Sequence, residues 1–367
     1  MQVISRGQRR GKLFFDANWI DIMFRIVSAK QTSRRVLFVT SKRWITEGAH
    51  ERLKVGLKGQ CILDVLAVTP NPTISNIEAH FELVTEKSYD VVIAFGGGSV
   101  IDTAKVLKAF LAPLPEIFQN CSINPSDNNK SNPCIELIAI PTTAGTGSEV
   151  TSFATLWDTE NQKKVSLESA KLTPEYVILD PSLLQTLDGP NMIFPFVDSV
   201  SHALESLWNK NRNPVSEIYA AESLRLVCEY FRSTDQGPRS ARPMTLIQRS
   251  SLLAGLAIAD TRTAIAHSIS YPLTLHYGVP HGLAAGFLLP RLIDRHLSNS
   301  DEKFHALLAD IQSIILDLDL TSRLLNYLSP PDVFDLVPEM LDSSRADNFS
   351  VPVTDKLLLS LLKKTFD

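Results

Sequence analysis

Tyr89-Asp90-Val91-Val92-Ile93-Ala94-Phe95-Gly96-Gly97-Gly98-Ser99-Val100-Ile101-Asp102-Thr103-Ala104-Lys105 runs an apolar strand straight into three glycines and then into a helical pattern. Backbone cradles a phosphate in this way. Without side chains, Gly96, Gly97 and Gly98 let the chain turn sharply and approach a ligand closely, while the first NH groups of the following helix point at an anion. Ser99 is the expected N-cap, with Asp102 three residues on in the capping-box position. Upstream, Val36-Leu37-Phe38-Val39-Thr40 and Cys61-Ile62-Leu63-Asp64-Val65-Leu66 read as buried strands, and Cys134-Ile135-Glu136-Leu137-Ile138-Ala139-Ile140 downstream as another. Strands alternating with helical stretches imply an α/β domain built on a parallel, doubly wound sheet, whose ligands bind beyond the carboxyl ends of the strands.

From about Leu184 the pattern changes to long helical periods, as in 216–231 and 246–259, with few strand signals. The expectation is two domains: 1–183, α/β and cofactor-binding, and 184–367, all-helical and metal-binding. The length of 367 residues suits two cores. A formal charge of -4 gives no general pull toward nucleic acid or an anionic membrane, so the expected partners are small molecules. Cys61, Cys121, Cys134 and Cys228 are scattered without a C-x-x-C pair, which suits reduced thiols in the cytoplasm. The basic start Met1 to Arg10 lacks the apolar run of a signal peptide, and no segment approaches a membrane span. Asn120 to Asn132, rich in Asn and Ser, reads as an exposed loop.

Asp198 and His202 stand four apart in Phe196-Val197-Asp198-Ser199-Val200-Ser201-His202-Ala203-Leu204-Glu205, a spacing that puts both side chains on one helix face. The stretch His267 to Gly282 adds His267, His276 and His281. Three His and one Asp suit a divalent transition metal such as Fe(II) or Zn(II) with positions left open for a substrate. An Asp-x-x-x-His pair alone is more often a capping or surface pair; the combination is what points to a metal.

Together these motifs resemble those of the iron-containing (group III) alcohol dehydrogenases. Gly96 to Lys105 is similar to the family's phosphate-binding signature, and Pro141-Thr142-Thr143-Ala144-Gly145-Thr146-Gly147-Ser148-Glu149-Val150-Thr151 to its second cofactor loop, where Thr142, Thr143, Thr146 and Ser148 become cofactor-binding candidates. Asn71-Pro72-Thr73 and Asp180-Pro181, after Val177-Ile178-Leu179, are smaller matches. The resemblance implies a Rossmann-like N-terminal domain, an all-α C-terminal domain, and metal ligands Asp198, His202, His267 and His281. It also implies reversible hydride transfer between NADH or NADPH and a small aldehyde or alcohol. Some relatives pair as homodimers.

The chain departs from that pattern in three places. Tyr271 stands where many members carry a histidine four residues after the third ligand, so the proton relay is open among Tyr271, His276 and a water. Thr40-Ser41-Lys42-Arg43 replaces the Asp that NAD-preferring relatives often set against the ribose, and Ser41 with the two cations suits the 2′-phosphate of NADPH. Arg262 precedes His267 by one to two helical turns and could bind an anionic substrate, which is similar to the branch that reduces phosphonoacetaldehyde to 2-hydroxyethylphosphonate. An ion pair between Asp260 and Arg262 is the plain alternative. Other readings of the scaffold are a general short-chain alcohol dehydrogenase, a glycerol-dehydrogenase-like or dehydroquinate-synthase-like enzyme, and a non-catalytic nucleotide-binding protein.

Overall fold

The computed structural model describes residues 11–28, 34–112, 114–119, 123, 132, 134–233, 240–298 and 302–366. Cys121, most of the stretch 120–132 and the basic start lie outside them. Two compact units are formed, the first from the described residues of Met1–Thr143 with Ser148–Leu184, the second from Ala144–Gly147 with those of Gln185–Asp367.

The first unit is built on β1 (Lys12–Phe15), β2 (Arg34–Ser41), β3 (Cys61–Val68), β4 (Val91–Gly96), β5 (Glu136–Pro141) and β8 (Tyr176–Leu179). They form one sheet in the order β1-β8-β5-β4-β2-β3, and every neighbouring pair is parallel. The period of two along the strands explains why both faces are covered. Leu37, Val39, Val92, Ala94, Leu137 and Ala139 point to one core, which includes α4 (Ile74–Val84) and α5 (Gly98–Leu111). Val36, Phe38, Val91, Ile93, Phe95, Ile138 and Ile140 point to the other, beneath α1 (Trp19–Ser28), α2 (Lys42–Thr46) and α3 (Ala49–Gly56). Chain order runs outward from β2 to β3 and then returns to the far side of β2 for β4, so the direction of winding reverses between β2 and β4. In open α/β sheets, ligands bind at such a reversal. An antiparallel hairpin, β6 (Phe153–Asp158) with β7 (Lys163–Glu168), stands apart from the sheet and was not foreseen from the sequence.

α5 is buried along its whole length from Val100 to Leu111 apart from Asp102, so its two lysines are internal and need partners. Lys105 Nζ donates to the carbonyls of Thr151 (2.9 Å) and Phe153 (2.7 Å), and Lys108 Nζ reaches both oxygens of Glu175 at 2.7 and 2.8 Å.

The second unit is helical, with one isolated bridge between Asn209 and Phe349 and no strand among its described residues. Its centre is α6 (Gly189–Leu207), buried on all sides from Phe196 to Leu207. Around it pack α7 (Pro214–Arg232), α8 (Ala241–Thr261), α9 (Ile265–Tyr277) and α10 (His281–Gly286). No helix among the described residues is long and apolar enough to cross a membrane.

Candidate metal centre and cofactor turn

In the second unit, α6 carries Asp198 and His202 one turn apart, α9 brings His267, and α10 opens on His281. Asp198 Oδ1 lies 3.3 Å from His267 Nε2, 3.6 Å from His202 Nε2 and 3.9 Å from His281 Nε2. Ligands bonded at about 2.1 Å around one tetrahedral ion stand about 3.4 Å from each other. These separations are therefore those of a coordination shell. The ligating atoms of Asp198, His267 and His281 all fall within 4.8 Å of one another, and the His202 ring stacks on His267 with centroids 4.7 Å apart.

Asp198 Oδ1 and His267 Nε2 are buried without a hydrogen-bond partner among the described residues. Orphaned polar atoms of this kind are costly unless something joins them, and a cation between them would do so. The residues thus fit a divalent metal.

Glu205, which the sequence reading passed over, completes the arrangement. It is fully buried, its Oε2 lies 2.6 Å from His267 Nδ1, and its Oε1 accepts from the backbone NH of Ala266 (2.6 Å) and His267 (3.2 Å). A carboxylate on Nδ1 fixes the imidazole so that Nε2 faces the ion. The signal was available: Glu205 follows His202 by three and Asp198 by seven, on the same face of α6.

The charges agree with this geometry. Burial opposes ionisation of Asp198, but the surrounding imidazoles hold it well below the usual carboxylate range. Burial lowers His202 to about 4. For His267, burial works downward too, but the Glu205 and Asp198 carboxylates outweigh it and push the imidazole up to about 10. Two buried carboxylates, Asp198 and Glu205, thus flank His267 and favour positive charge at this position.

Close packing places the ligands. A Cβ on Gly282 would lie 1.8 Å from the Phe194 carbonyl oxygen, so only glycine lets α10 reach α6 and set His281 against Asp198. Before α9, Arg262 sits at φ 68° and ψ 172°, a region nearly closed to side-chain-bearing residues. Asn209 Nδ2 donates to the Arg262 carbonyl (3.1 Å) and Asn348 Nδ2 to that of Thr263 (2.8 Å), which hold this strained entry into α9.

Tyr271, one turn beyond His267, faces the same way, and its ring lies parallel to His281 with centroids 6.3 Å apart. His276 falls half a turn round α9 from His267 and pairs through Nε2 with Glu339 at 2.8 Å.

In the first unit, the predicted N-cap is displaced. α5 starts at Gly98 with Gly97 as N-cap and no side-chain cap, so Ser99 lies inside the first turn. Its Oγ instead accepts from the Asn71 backbone NH at 3.1 Å. Asp102 does not close a capping box, because its carboxylate turns to a neighbouring segment: Ser148 Oγ donates to Oδ1 and the Thr155 NH to Oδ2 at 2.9 Å. A glycine N-cap leaves the helix start open to an external anion. A Cβ on Gly97 would stand 3.0 Å from Thr143 Oγ1, so the glycine turn and the second motif loop approach each other. Thr142 Oγ1 accepts from Trp44 Nε1 (3.1 Å). Ser41 ends β2, exposed Lys42 begins α2, and Arg43 is paired with Glu47 at 2.8 Å. Of the remaining loop, Thr146 belongs to the second unit with Gly147, whose φ of 63° and missing Cβ allow contact with Gly255 on α8.

Two family models match the chain: iron-containing alcohol dehydrogenase over residues 11–181, and the C-terminal model of the Fe-containing alcohol dehydrogenase family over 193–317. A phosphonoacetaldehyde reductase of Streptomyces viridochromogenes is 35% identical over 208 residues, 56% of this chain and 52% of that protein, so the match spans about half of its length. A sulfoacetaldehyde reductase of Bilophila wadsworthia is 31% identical over 65% of this chain and 61% of its own. Among solved structures, the sulfoacetaldehyde reductase of Bifidobacterium kashiwanohense in complex with NAD+ superposes with a TM-score of 0.82 at 25% identity, covering 97% of this chain and 96% of that one.

Proposed function

Because the chain belongs to the iron-containing alcohol dehydrogenase family, we propose that it catalyses reversible hydride transfer between NADPH and a small aldehyde, with two-carbon aldehydes bearing an oxyanion as preferred substrates. The observation that carries the reading is the convergence of Asp198, His202, His267 and His281 at coordination spacing, with Asp198 Oδ1 and His267 Nε2 buried and lacking a hydrogen-bond partner among the described residues. These four side chains would hold the ion, with Glu205 orienting His267. Bound there, Fe(II) or Zn(II) supplies Lewis-acid polarisation of a carbonyl or alcohol oxygen.

The other steps fall to the chain's own groups. The turn Gly96–Gly98 and the first NH groups of α5 receive the cofactor pyrophosphate. Asp102, by holding Ser148, sets the loop that contains Thr142, Thr143 and Thr146. Ser41 and Lys42 meet the 2′-phosphate of NADPH. Tyr271 donates the proton to the nascent alkoxide from its hydroxyl, its ring held against His281. His276, engaged with Glu339 on the other side of α9, is the lesser candidate for that step. Arg262 is the guanidinium first proposed to meet the substrate anion.

Support for the anionic substrate comes from the phosphonoacetaldehyde and sulfoacetaldehyde reductases among the relatives. The test is oxidation of NADPH and of NADH by Fe(II)- and Zn(II)-reconstituted protein with phosphonoacetaldehyde and with propionaldehyde. Faster NADPH oxidation with phosphonoacetaldehyde is expected. A preference for propionaldehyde would leave a general alcohol dehydrogenase, and no turnover with any aldehyde would refute the reading.

A further inference from the structure

Arg345 lies in the short helical turn Ser343–Ala346, half-buried, and its Nε stands 3.4 Å from the Tyr271 hydroxyl. The Tyr271 ring lies parallel to that of His281, whose Nε2 is 3.9 Å from Asp198 Oδ1. One aromatic side chain therefore separates this guanidinium from a candidate metal ligand. The position is built rather than incidental. Ser268, on α9 beside His267, donates from Oγ to the Met340 carbonyl (2.6 Å) and accepts from the Asp342 NH (2.9 Å), which ties this segment to α9. Asp342 then accepts from the Ser344 NH at 2.7 Å, fixing the turn that carries Arg345.

What the guanidinium lacks, among the described residues, is a carboxylate in direct contact. The carboxylates of Asp342 and Glu205 act on it from a distance, but neither is ion-paired with it, Asp342 being engaged with the backbone of Ser344 and Glu205 with His267. Of the five N–H donors that arginine carries, Nε meets Tyr271, and neither terminal nitrogen donates a hydrogen bond to a described residue. A half-buried guanidinium held in its charged form, with terminal N–H groups that donate to no described residue, is complementary to an anion brought from outside. The planar fork suits two oxygens of a phosphonate or sulfonate.

We propose that Arg345, oriented by Tyr271, binds the oxyanion head group of the substrate and sets the enzyme's preference for anionic over neutral aldehydes. The inference rests on the aldehyde-reductase reading for the identity of the substrate, but the anion site it describes can be measured without turnover. It differs from the role proposed for Arg262, which precedes α9 on the other side of His267.

The experiment compares the parent with Arg345→Gln, Arg345→Lys and Arg262→Gln. Reconstituted enzyme is assayed with phosphonoacetaldehyde, sulfoacetaldehyde and propionaldehyde, and metal-free protein is titrated calorimetrically with ethylphosphonate and ethanesulfonate. Loss of a charge-assisted pair should cut the ratio of anionic to neutral kcat/KM about 10- to 100-fold in Arg345→Gln, mainly through KM, with partial recovery in Arg345→Lys. Ethylphosphonate should bind the parent and not Arg345→Gln; the phosphonate and sulfonate arms show which head group is favoured. An unchanged ratio in Arg345→Gln, or a fall confined to Arg262→Gln, overturns the proposal. If the parent reduces propionaldehyde but binds neither anion, the proposal fails and the reductase reading stands. If no aldehyde is reduced but ethylphosphonate binding depends on Arg345, the anion site stands and the reductase reading fails.

Discussion

Gly282→Ala tests how the metal ligands are positioned. The added Cβ would stand 1.8 Å from the Phe194 carbonyl oxygen, 2.6 Å from the carbonyl carbon and 3.3 Å from Asp198 Cβ. Two of those neighbours are backbone inside α6, so no side-chain rotation relieves the clash. To restore van der Waals separation, α10 and α6 have to part by about 1.5 Å. His281 precedes Gly282 and Asp198 lies one turn beyond Phe194, so the same movement separates two ligands whose donor atoms are now 3.9 Å apart. Metal bonds tolerate only about 0.2 Å. The expected result is a loss of about 2–3 kcal/mol of stability, near the top of the overpacking range. Metal affinity should weaken by about 100-fold or more, since a ligand is lost rather than merely an orienting group. Urea denaturation of metal-free protein measures the first and chelator competition with Zn(II) the second. Gly189→Ala is the control, because nothing lies within 4 Å of its Cβ position at the start of α6. A Gly282→Ala protein with the parent's urea midpoint and metal dissociation constant would refute the reasoning.

Other expectations follow from the buried charges and the tyrosine. Glu205→Ala removes the acceptor for two buried NH groups and the partner of a charged His267, so metal-free protein should lose about 3–5 kcal/mol in urea denaturation; a loss below about 1 kcal/mol would contradict the role given to Glu205. Burial raises Glu149 from 4.5 to about 7. The folded state keeps a proton that the unfolded chain releases between those values, so stability should fall as pH rises through that window, by about 3 kcal/mol in all. In Glu149→Gln the Glu149 share of that slope should be lost, leaving the part that His267 contributes above about pH 6.5, and urea midpoints at about pH 5 and about pH 8 that still differ as much as in the parent would count against it. Tyr271→Phe should lower kcat by about 100-fold or more while leaving NADPH affinity, measured by fluorescence titration, within about twofold; an unchanged kcat removes the hydroxyl from proton transfer.

Much of the scaffold is legible in local pattern. The continuous apolar runs at Val36–Thr40 and Val91–Phe95 are buried on both faces of a parallel sheet, and such runs carry their meaning within a few residues. The same holds for Asp198 and His202, since four residues along a helix is a spacing in space as well as in sequence. Capping was less legible. Ser99 and Asp102 have the composition of a capping box, yet Asn71, Ser148 and Thr155 compete for their oxygens from segments 28, 46 and 53 residues away. A local rule cannot weigh a partner that folding brings from a distance. The hairpin β6-β7 was missed because its strands pair with each other and not with the main sheet.

The sequence by itself therefore determined the two-part organisation of strands and helices, the glycine turn and the residue types able to hold a metal, because periodicity and short spacing are properties of the chain. Only the tertiary structure decided which of those residues meet. It drew His281 to Asp198 through the glycine contact between α10 and α6, brought His267 to Asp198 from α9, and set Glu205 behind His267. It also turned His276 toward Glu339 and brought Arg345 to Tyr271 across 74 residues. The reason is that proximity between distant segments is settled by packing the whole core, where a carbonyl and a missing Cβ 80 or more residues apart fix a ligand's position to within a bond length.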